Sequence, residues 1–311
     1  MYSEFWLKKS KEKKYEELVL FVESESESSC PNNCWCVRDI CIDDPVVLGK
    51  GSNGITYASS TNGVILKMIV TNTKFQVETA EKETKIQIEA GKALPTVVAQ
   101  IYHGKFCHPE CLEPYQGIYR ITMERLGMSF TDLMKKTLNN FNNVNNVNNE
   151  NNLKYIFLEM RKAAEKFTVL NRAGYWHGDA HGGNILQTLD TNPSYKIIDF
   201  GHAQKIEPQN IPFMQNVDAF FFIIRSIVDM NVHYKVNLRL YPKLVSTAAT
   251  LIADFMPTTR AKDMYNAWDD RVSSMFLPEY DKFYRELLNE KISLLLEHKK
   301  KTFAVKKNEI H

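Results

Sequence analysis

Two carboxylates and an asparagine stand close together in the stretch from His177 to Gly201, HGDAHGGNILQTLDTNPSYKIIDFG. Asn184 follows Asp179 by five positions and leads into the apolar Ile185 and Leu186. A second apolar run (Tyr195, Ile197, Ile198) delivers Asp199, Phe200 and Gly201. Short apolar runs bounded by turn residues read as strands, which puts Asp179, Asn184 and Asp199 at strand ends. Carboxylate and amide oxygens are hard donors that suit magnesium, and a carboxylate beside them can aim a hydroxyl at a phosphate. The chemistry open to this set is magnesium-assisted transfer of a phosphoryl group.

Such chemistry needs something to cradle the phosphates. The segment VVLGKGSNGITYASSTNGVILKMI, from Val46, reads as strand, glycine-rich turn, strand, turn, strand, with Gly49, Gly51 and Gly54 spelling G-x-G-x-x-G. Alone, that pattern fits a dinucleotide fingerprint or a flexible turn equally well. A dinucleotide fold would run straight into a helix, whereas here Ile55, Tyr57 and Ala58 continue as strand and the Thr61-Asn62-Gly63 turn returns another strand, VILK, ending in Lys67. Residues 74–94 are rich in helix formers and free of proline until Pro95, so a helix is predicted there. TVVAQIYHG and GIYRITMERLG read as two further strands. From Leu153 to Ala173 the positions Ile156, Phe157, Met160, Ala163, Ala164, Phe167 and Leu170 recur at helical spacing, and Gly174 stops that helix before His177.

Taken together, these motifs resemble the protein kinase-like superfamily over residues 46 to 230. His177, Gly178, Asp179 and Asn184 stand where that family has H-R-D and the asparagine five residues beyond it, and Asp199, Phe200 and Gly201 match D-F-G. The resemblance implies an α+β, two-lobed fold: a small, mainly β lobe with its hinge over 46–127, a larger, mainly α lobe over 128–311, and an N-terminal extension over 1–45. ATP and Mg2+ are the cofactors it implies, bound in the cleft. Asp179 would accept the proton of the attacking hydroxyl, Asn184 and Asp199 would hold the metal, and Gly49, Gly51, Gly54 and Lys67 would hold the phosphates. A glutamate of the 74–94 helix would pair with Lys67. Glu78, Glu81, Glu83 and Glu89 are the candidates, and Glu83 is chosen because Ile86 and Ile88 follow it as core contacts would. MERLG is similar to the hinge of casein kinase-like enzymes, putting Met123 behind the adenine and Glu124 to Leu126 at its backbone hydrogen bonds.

The departures bear on the substrate. Gly178 replaces the usual arginine, His181 replaces the lysine common two residues after the aspartate, and HGDAHGGN is closer to the H-G-D-x-H-x-x-N of aminoglycoside phosphotransferases, choline kinases and atypical kinases. The segment from Gly201 to Asn216, Val217 and Asp218 is short and no A-P-E follows. Asp218 reads as a brace for the loop around Asp179 or as an ordinary helix N-terminal acid. A serine/threonine protein kinase is the first expectation, with a protein hydroxyl as acceptor; a small-molecule kinase and a nucleotide-binding scaffold without activity are the alternatives.

Composition sets the outer bounds. The 311 residues, 44% hydrophobic, suffice for one large or two modest domains. Lys+Arg (39) nearly balance Asp+Glu (37), so no global field favours nucleic acid or a membrane surface. With no signal-like start and no run judged long enough for a membrane helix, a soluble intracellular chain is expected. Residues 1–22 are read as partly amphipathic helix, ESESESS at 23–29 as a solvated linker or a phosphorylated segment, and NNFNNVNNVNNENN at 139–152 as a disordered surface loop between two helices. Cys30, Cys34, Cys36 and Cys41 lack paired C-x-x-C spacing, so packed loop cysteines are preferred over a zinc site, as for Cys107 and Cys111 near His103 and His108. Residues 232–311 are expected to alternate helices with turns at Pro242, Pro257 and Pro278, ending in a basic tail read as solvated or as a contact for acidic partners.

Overall fold

The computed structural model describes residues 46–51, 54–59, 61–107, 115–139, 149–236 and 241–255. Outside them lie the predicted N-terminal helix, the acidic serine run, the cluster Cys30 to Cys41, Cys111, His108, and the stretch beyond Phe255 with its basic tail. The architecture is α+β. The described residues up to Gly127, with Leu186–Gln204, form one compact unit; those of 128–185 and from Lys205 onward form a second.

The first unit is built on a five-stranded antiparallel sheet in the order β1-β2-β3-β5-β4, from β1 (Val47–Gly51), β2 (Gly54–Ala58), β3 (Val64–Thr71), β4 (Ile101–Cys107) and β5 (Gly117–Glu124). Strand β5 lies inside the sheet, and all its residues but Glu124 are buried. Ala99, Ile101, Tyr119, Ile121 and Met123 form the core, and Ala80 of helix α1 (Lys74–Ala93) closes it. Thr73 caps α1 by accepting from the Gln76 N–H, satisfying one of the helix's orphan donors, and the helix ends just before Pro95. The buried positions Val77, Ala80, Glu83, Thr84, Gln87, Ala90 and Gly91 trace one face at a spacing of three to four residues.

The sequence reading of TVVAQIYHG as one strand needs correction. Strand β4 starts only at Ile101, because Val97 to Ala99 pair elsewhere. The Ala99 N–H donates to the Ile197 carbonyl (3.0 Å) and the Ile197 N–H to the Val97 carbonyl (2.8 Å). This joins the hairpin of β6 (Ile185–Gln187) and β7 (Tyr195–Ile197) to the sheet unit, with Gly127 donating to the Gln187 carbonyl at 2.7 Å. The 186–204 segment, expected with the helical residues from 128 onward, therefore groups with the sheet.

The second unit is helical: α2 (Phe130–Leu138), α3 (Asn149–Arg172), the single turn α4 (Ile211–Met214), α5 (Val217–Tyr234) and α6 (Pro242–Asp254). Ser129 caps α2 by accepting from the Asp132 N–H. Phe222 of α5 packs edge-on against Phe130 (ring centroids 5.0 Å apart) and against Phe167 of α3 (5.5 Å), which fixes the two long helices to each other. Gly174 adopts φ +87°, a left-handed conformation that ends α3 without the cost a side chain would incur.

Three further expectations change here. Asn149 to Asn152 belong to α3, not to the asparagine-rich loop: Asn149 is buried, and Asn152 donates to the Thr137 carbonyl at 3.3 Å. Residues 140–148 lie outside the described set. Pro242 opens α6 and does not mark a turn, since the first position of a helix needs no N–H and suits proline's fixed φ. By length and composition Pro208–Tyr234 is apolar enough to cross a membrane, against the expectation that no run reaches that length; more than half of it is buried inside the protein.

Candidate functional site

In the sheet unit, Lys67 sits on β3 opposite Ile121 of β5 and Thr56 of β2, so its backbone is fixed from both sides. Its Nζ donates to Glu83 Oε1 at 2.9 Å and lies 4.0 Å from Asp199 Oδ1. Of the four glutamates weighed on α1, Glu83 is thus the partner of Lys67. Glu78 and Glu81 are exposed, and Glu78 pairs with Lys74 on the surface. The Glu83 side chain is 6% exposed and that of Lys67 15%, while Asp199 at 29% is the accessible member of the three. Asp199 holds φ +62°, sparsely populated for a residue with a side chain and best tolerated by Asp and Asn. The fully buried Phe200 anchors the chain beyond it.

The glycines of the β1–β2 hairpin differ among themselves. A Cβ on Gly54 would lie 2.3 Å from the Met68 carbonyl oxygen, so strand packing demands a glycine there. A Cβ on Gly49 would meet nothing within 4 Å. Its glycine is unexplained by packing and leaves the backbone open to approach from outside. Gly51 ends β1.

Near the end of β5, Met123 is buried in the core, and beyond the strand Leu126 packs partly against it. The Glu124 N–H donates to the Gln100 carbonyl (2.9 Å) and the Arg125 N–H to the Gly63 carbonyl (2.8 Å), so both donors are committed within the protein. Among the described residues the Leu126 N–H has no such acceptor. The Glu124 carboxylate is committed too. Lys196 Nζ reaches its two oxygens at 2.7 and 2.8 Å, and Gln100 N–H donates to Oε2 at 3.1 Å. Lys196 and Gln100 were not singled out from the sequence.

In the helical unit the loop His177–Asn184 hangs from the start of α5. Asp218 accepts from the His177 N–H (2.7 Å), the Gly178 N–H (3.2 Å) and Asn171 Nδ2 (2.5 Å), while Asn171 Oδ1 accepts from the Asp218 N–H. This is the brace and not merely an acid at a helix start. Burial pushes the Asp218 pKa up, against the pull of His177 and of these donors. His177 is wholly buried, edge-on to Phe167, and its Nδ1 accepts from the Asp179 N–H at 3.3 Å. Asn184 Nδ2 donates to the Asp179 carbonyl (3.0 Å) and to Asp179 Oδ2 (3.3 Å).

Two side chains from different elements flank the Asp179 carboxylate. Arg225 of α5 bonds Oδ1 at 2.8 Å, and His181 Nε2 lies 3.4 Å from Oδ2. Burial works to raise the Asp179 pKa, but His181 and Arg225 outweigh it and hold the carboxyl well below the usual carboxylate range. It is therefore ionised at neutral pH, the form a proton acceptor needs. The sequence reading missed Arg225, which stands in the apolar run AFFFIIRSIV with no local mark of its partner.

In the helical unit Asn184 uses its amide nitrogen on Asp179, which leaves its oxygen as a hard donor; in the sheet unit Asp199 supplies a part-exposed carboxylate. Among the described residues there is no cluster of three or more His, Cys, Asp or Glu side chains arranged for a metal, and Cys107 is a free thiol. Magnesium usually takes only one or two protein carboxylates and completes its shell with phosphates and water, so a sparse set is compatible with it. No family model matches this sequence, and a search of curated proteins found no match either.

Proposed function

We propose that the chain is an ATP- and magnesium-dependent phosphotransferase with a two-lobed protein kinase-like fold, transferring the γ-phosphoryl group to a serine or threonine hydroxyl of a protein. The observation that carries this reading is the contact of Lys67 with Glu83 at 2.9 Å and with Asp199 at 4.0 Å, beside a glycine hairpin whose Gly49 backbone is open. A lysine held by a buried glutamate is a fixed positive charge for nucleotide phosphates, and no covalent intermediate is needed.

On this reading Lys67 neutralises the α- and β-phosphates, the hairpin backbone covers them, and adenine lies against Met123 with the Leu126 N–H as its donor. Asp179 takes the proton from the acceptor hydroxyl, whose oxygen bonds to the γ-phosphorus as the bond from that phosphorus to the bridging oxygen of ADP breaks. Asn184 and Asp199 would hold magnesium, which offsets phosphate charge when bound.

A second reading, a small-molecule phosphotransferase, is favoured by His181 beside Asp179 and by the short segment after Gly201. Incubation with ATP labelled on the γ-phosphate, with the protein itself, generic acidic and basic proteins, or small alcohols as acceptors, separates the two. Protein labelling supports the first reading, and turnover of a soluble alcohol alone supports the second. Absence of Mg-ATP binding would sink both; binding without any transfer would leave a nucleotide-binding scaffold.

A further inference from the structure

One helix reaches the candidate base from two directions. Asp218 and Arg225 are seven residues apart on α5, two turns or about 10 Å along its axis and on the same face. Asp218 holds the backbone of the loop through the His177 and Gly178 N–H groups, and Arg225 holds the carboxylate of Asp179 at 2.8 Å. Between them Phe222 is fully buried and packs on Phe167, whose ring meets His177 at 5.7 Å. The face Asp218–Phe222–Arg225 therefore fixes main chain, imidazole and carboxylate of one loop.

The other Asp179 oxygen is met by weaker partners, Asn184 Nδ2 at 3.3 Å and His181 Nε2 at 3.4 Å. The His181 ring is itself oriented, because its Nδ1 accepts from the Gly183 N–H at 3.0 Å, leaving the proton on Nε2. The loop cannot readily supply a cation at position 178, since Gly178 sits at φ +78°, where a side chain is strained.

We infer that Arg225 is a positioning residue: it locks the Asp179 carboxylate, through one charge-assisted bond from α5, in the orientation that receives the acceptor's proton. The inference deepens the phosphotransferase reading and rests on it for the kinetic part alone. The contact itself is tested without activity.

The test compares wild type with Arg225→Met and Arg225→Lys by two readouts. The first is coupling of a small amine to Asp179 by a water-soluble carbodiimide, quantified by peptide mass. Losing the guanidinium should raise coupling at Asp179 at least about threefold in Arg225→Met and much less in Arg225→Lys, because charge-assisted bonds are the strong ones. The second is steady-state kinetics. Misplacing a reacting group by about 1 Å can cost about 100-fold, so Arg225→Met should lower kcat about 10- to 100-fold with KM for ATP within about twofold. Arg225→Lys should recover part of that loss, since it restores a charged donor toward Asp179. If Arg225→Met does not fold, Arg225→Gln, which keeps a donor and loses the charge, takes its place.

Unchanged coupling in a folded neutral variant overturns the inference, as does a wild-type kcat in folded Arg225→Met. If no protein in the series transfers phosphate while coupling responds as expected, the hold of Arg225 on Asp179 stands and the phosphotransferase reading falls.

Discussion

Substituting Gly49 and Gly54 separately by alanine divides one glycine motif into a structural and a functional part. At Gly54 the added Cβ would sit 2.3 Å from the Met68 carbonyl oxygen, 3.1 Å from its carbon and 3.3 Å from Ile69 Cγ1. Real Cβ atoms essentially never come within 3.0 Å of such a neighbour, so β2 and β3 must part by several tenths of an ångström, and the obstacle is backbone that cannot rotate away. Overpacking of this kind costs about 1–3 kcal/mol. At Gly49 nothing lies within 4 Å and φ is not positive, so alanine fits and loses less chain entropy on folding. Gly49→Ala should thus leave stability unchanged or raise it by up to about 1 kcal/mol. Its effect should fall on nucleotide. A methyl group that holds the backbone off a phosphate removes a hydrogen bond to a charged group worth about 1.5–3 kcal/mol, or roughly 10-fold and upward in ATP affinity. Urea unfolding and Mg-ATP titration of both variants read the two effects independently. Wild-type stability in Gly54→Ala, or a loss above about 1 kcal/mol in Gly49→Ala, would refute the steric reasoning; wild-type ATP affinity in Gly49→Ala would refute the role given to the open backbone.

Asp199→Ala should abolish the magnesium dependence of nucleotide binding, measured by titrating ATP with and without magnesium; an unchanged difference would remove Asp199 from the metal site. Asp218→Ala should destabilise the protein by at least about 2 kcal/mol in urea unfolding, since it leaves the buried donors of His177 and Asn171 and the part-buried Gly178 N–H without an acceptor. Burial raises the Asp229 pKa against the opposing pull of His233, Arg225 and His181. Its folded pKa therefore exceeds its unfolded one, and the stability linked to its proton is complete below the unfolded value and lost as pH rises through the folded value. Asp229→Asn should then be more stable than wild type at neutral pH, with the advantage vanishing below about pH 3.8; unfolding curves across that range check the sign.

What the sequence discloses follows the range of the interactions. The glycine hairpin, the helix over 74–94 and the long helix before Gly174 are written in local patterns, and the structure has an element at each. Glu83 lies on the buried face of α1 that Val77, Ala80 and Ala90 mark, whereas Ile86 and Ile88, the sequence ground for choosing it, are only half-buried. Arg225, Lys196 and Gln100 carry no such mark. Each acts on a residue far off in the chain, and an arginine in an apolar helix or a lysine in a short strand has the same sequence signature whether it meets solvent or a buried carboxylate. The start of α3 at Asn149 was hidden for a related reason. Asparagine is a poor helix former taken alone, and tertiary contacts at Asn149 and Asn152 override that preference. Val97 to Ala99 are apolar enough for a strand, but their partner is Ile197, about a hundred residues onward.

The measurement that bears most directly on the central claim is transfer of labelled γ-phosphate from ATP with magnesium by wild type and by Asp179→Asn, run beside an ATP-binding titration of both. The account predicts transfer by wild type, none by the variant, and nucleotide affinities that differ little, because Asp179 serves the acceptor and not the nucleotide. Equal transfer by the two proteins would contradict the assignment of Asp179 as the base.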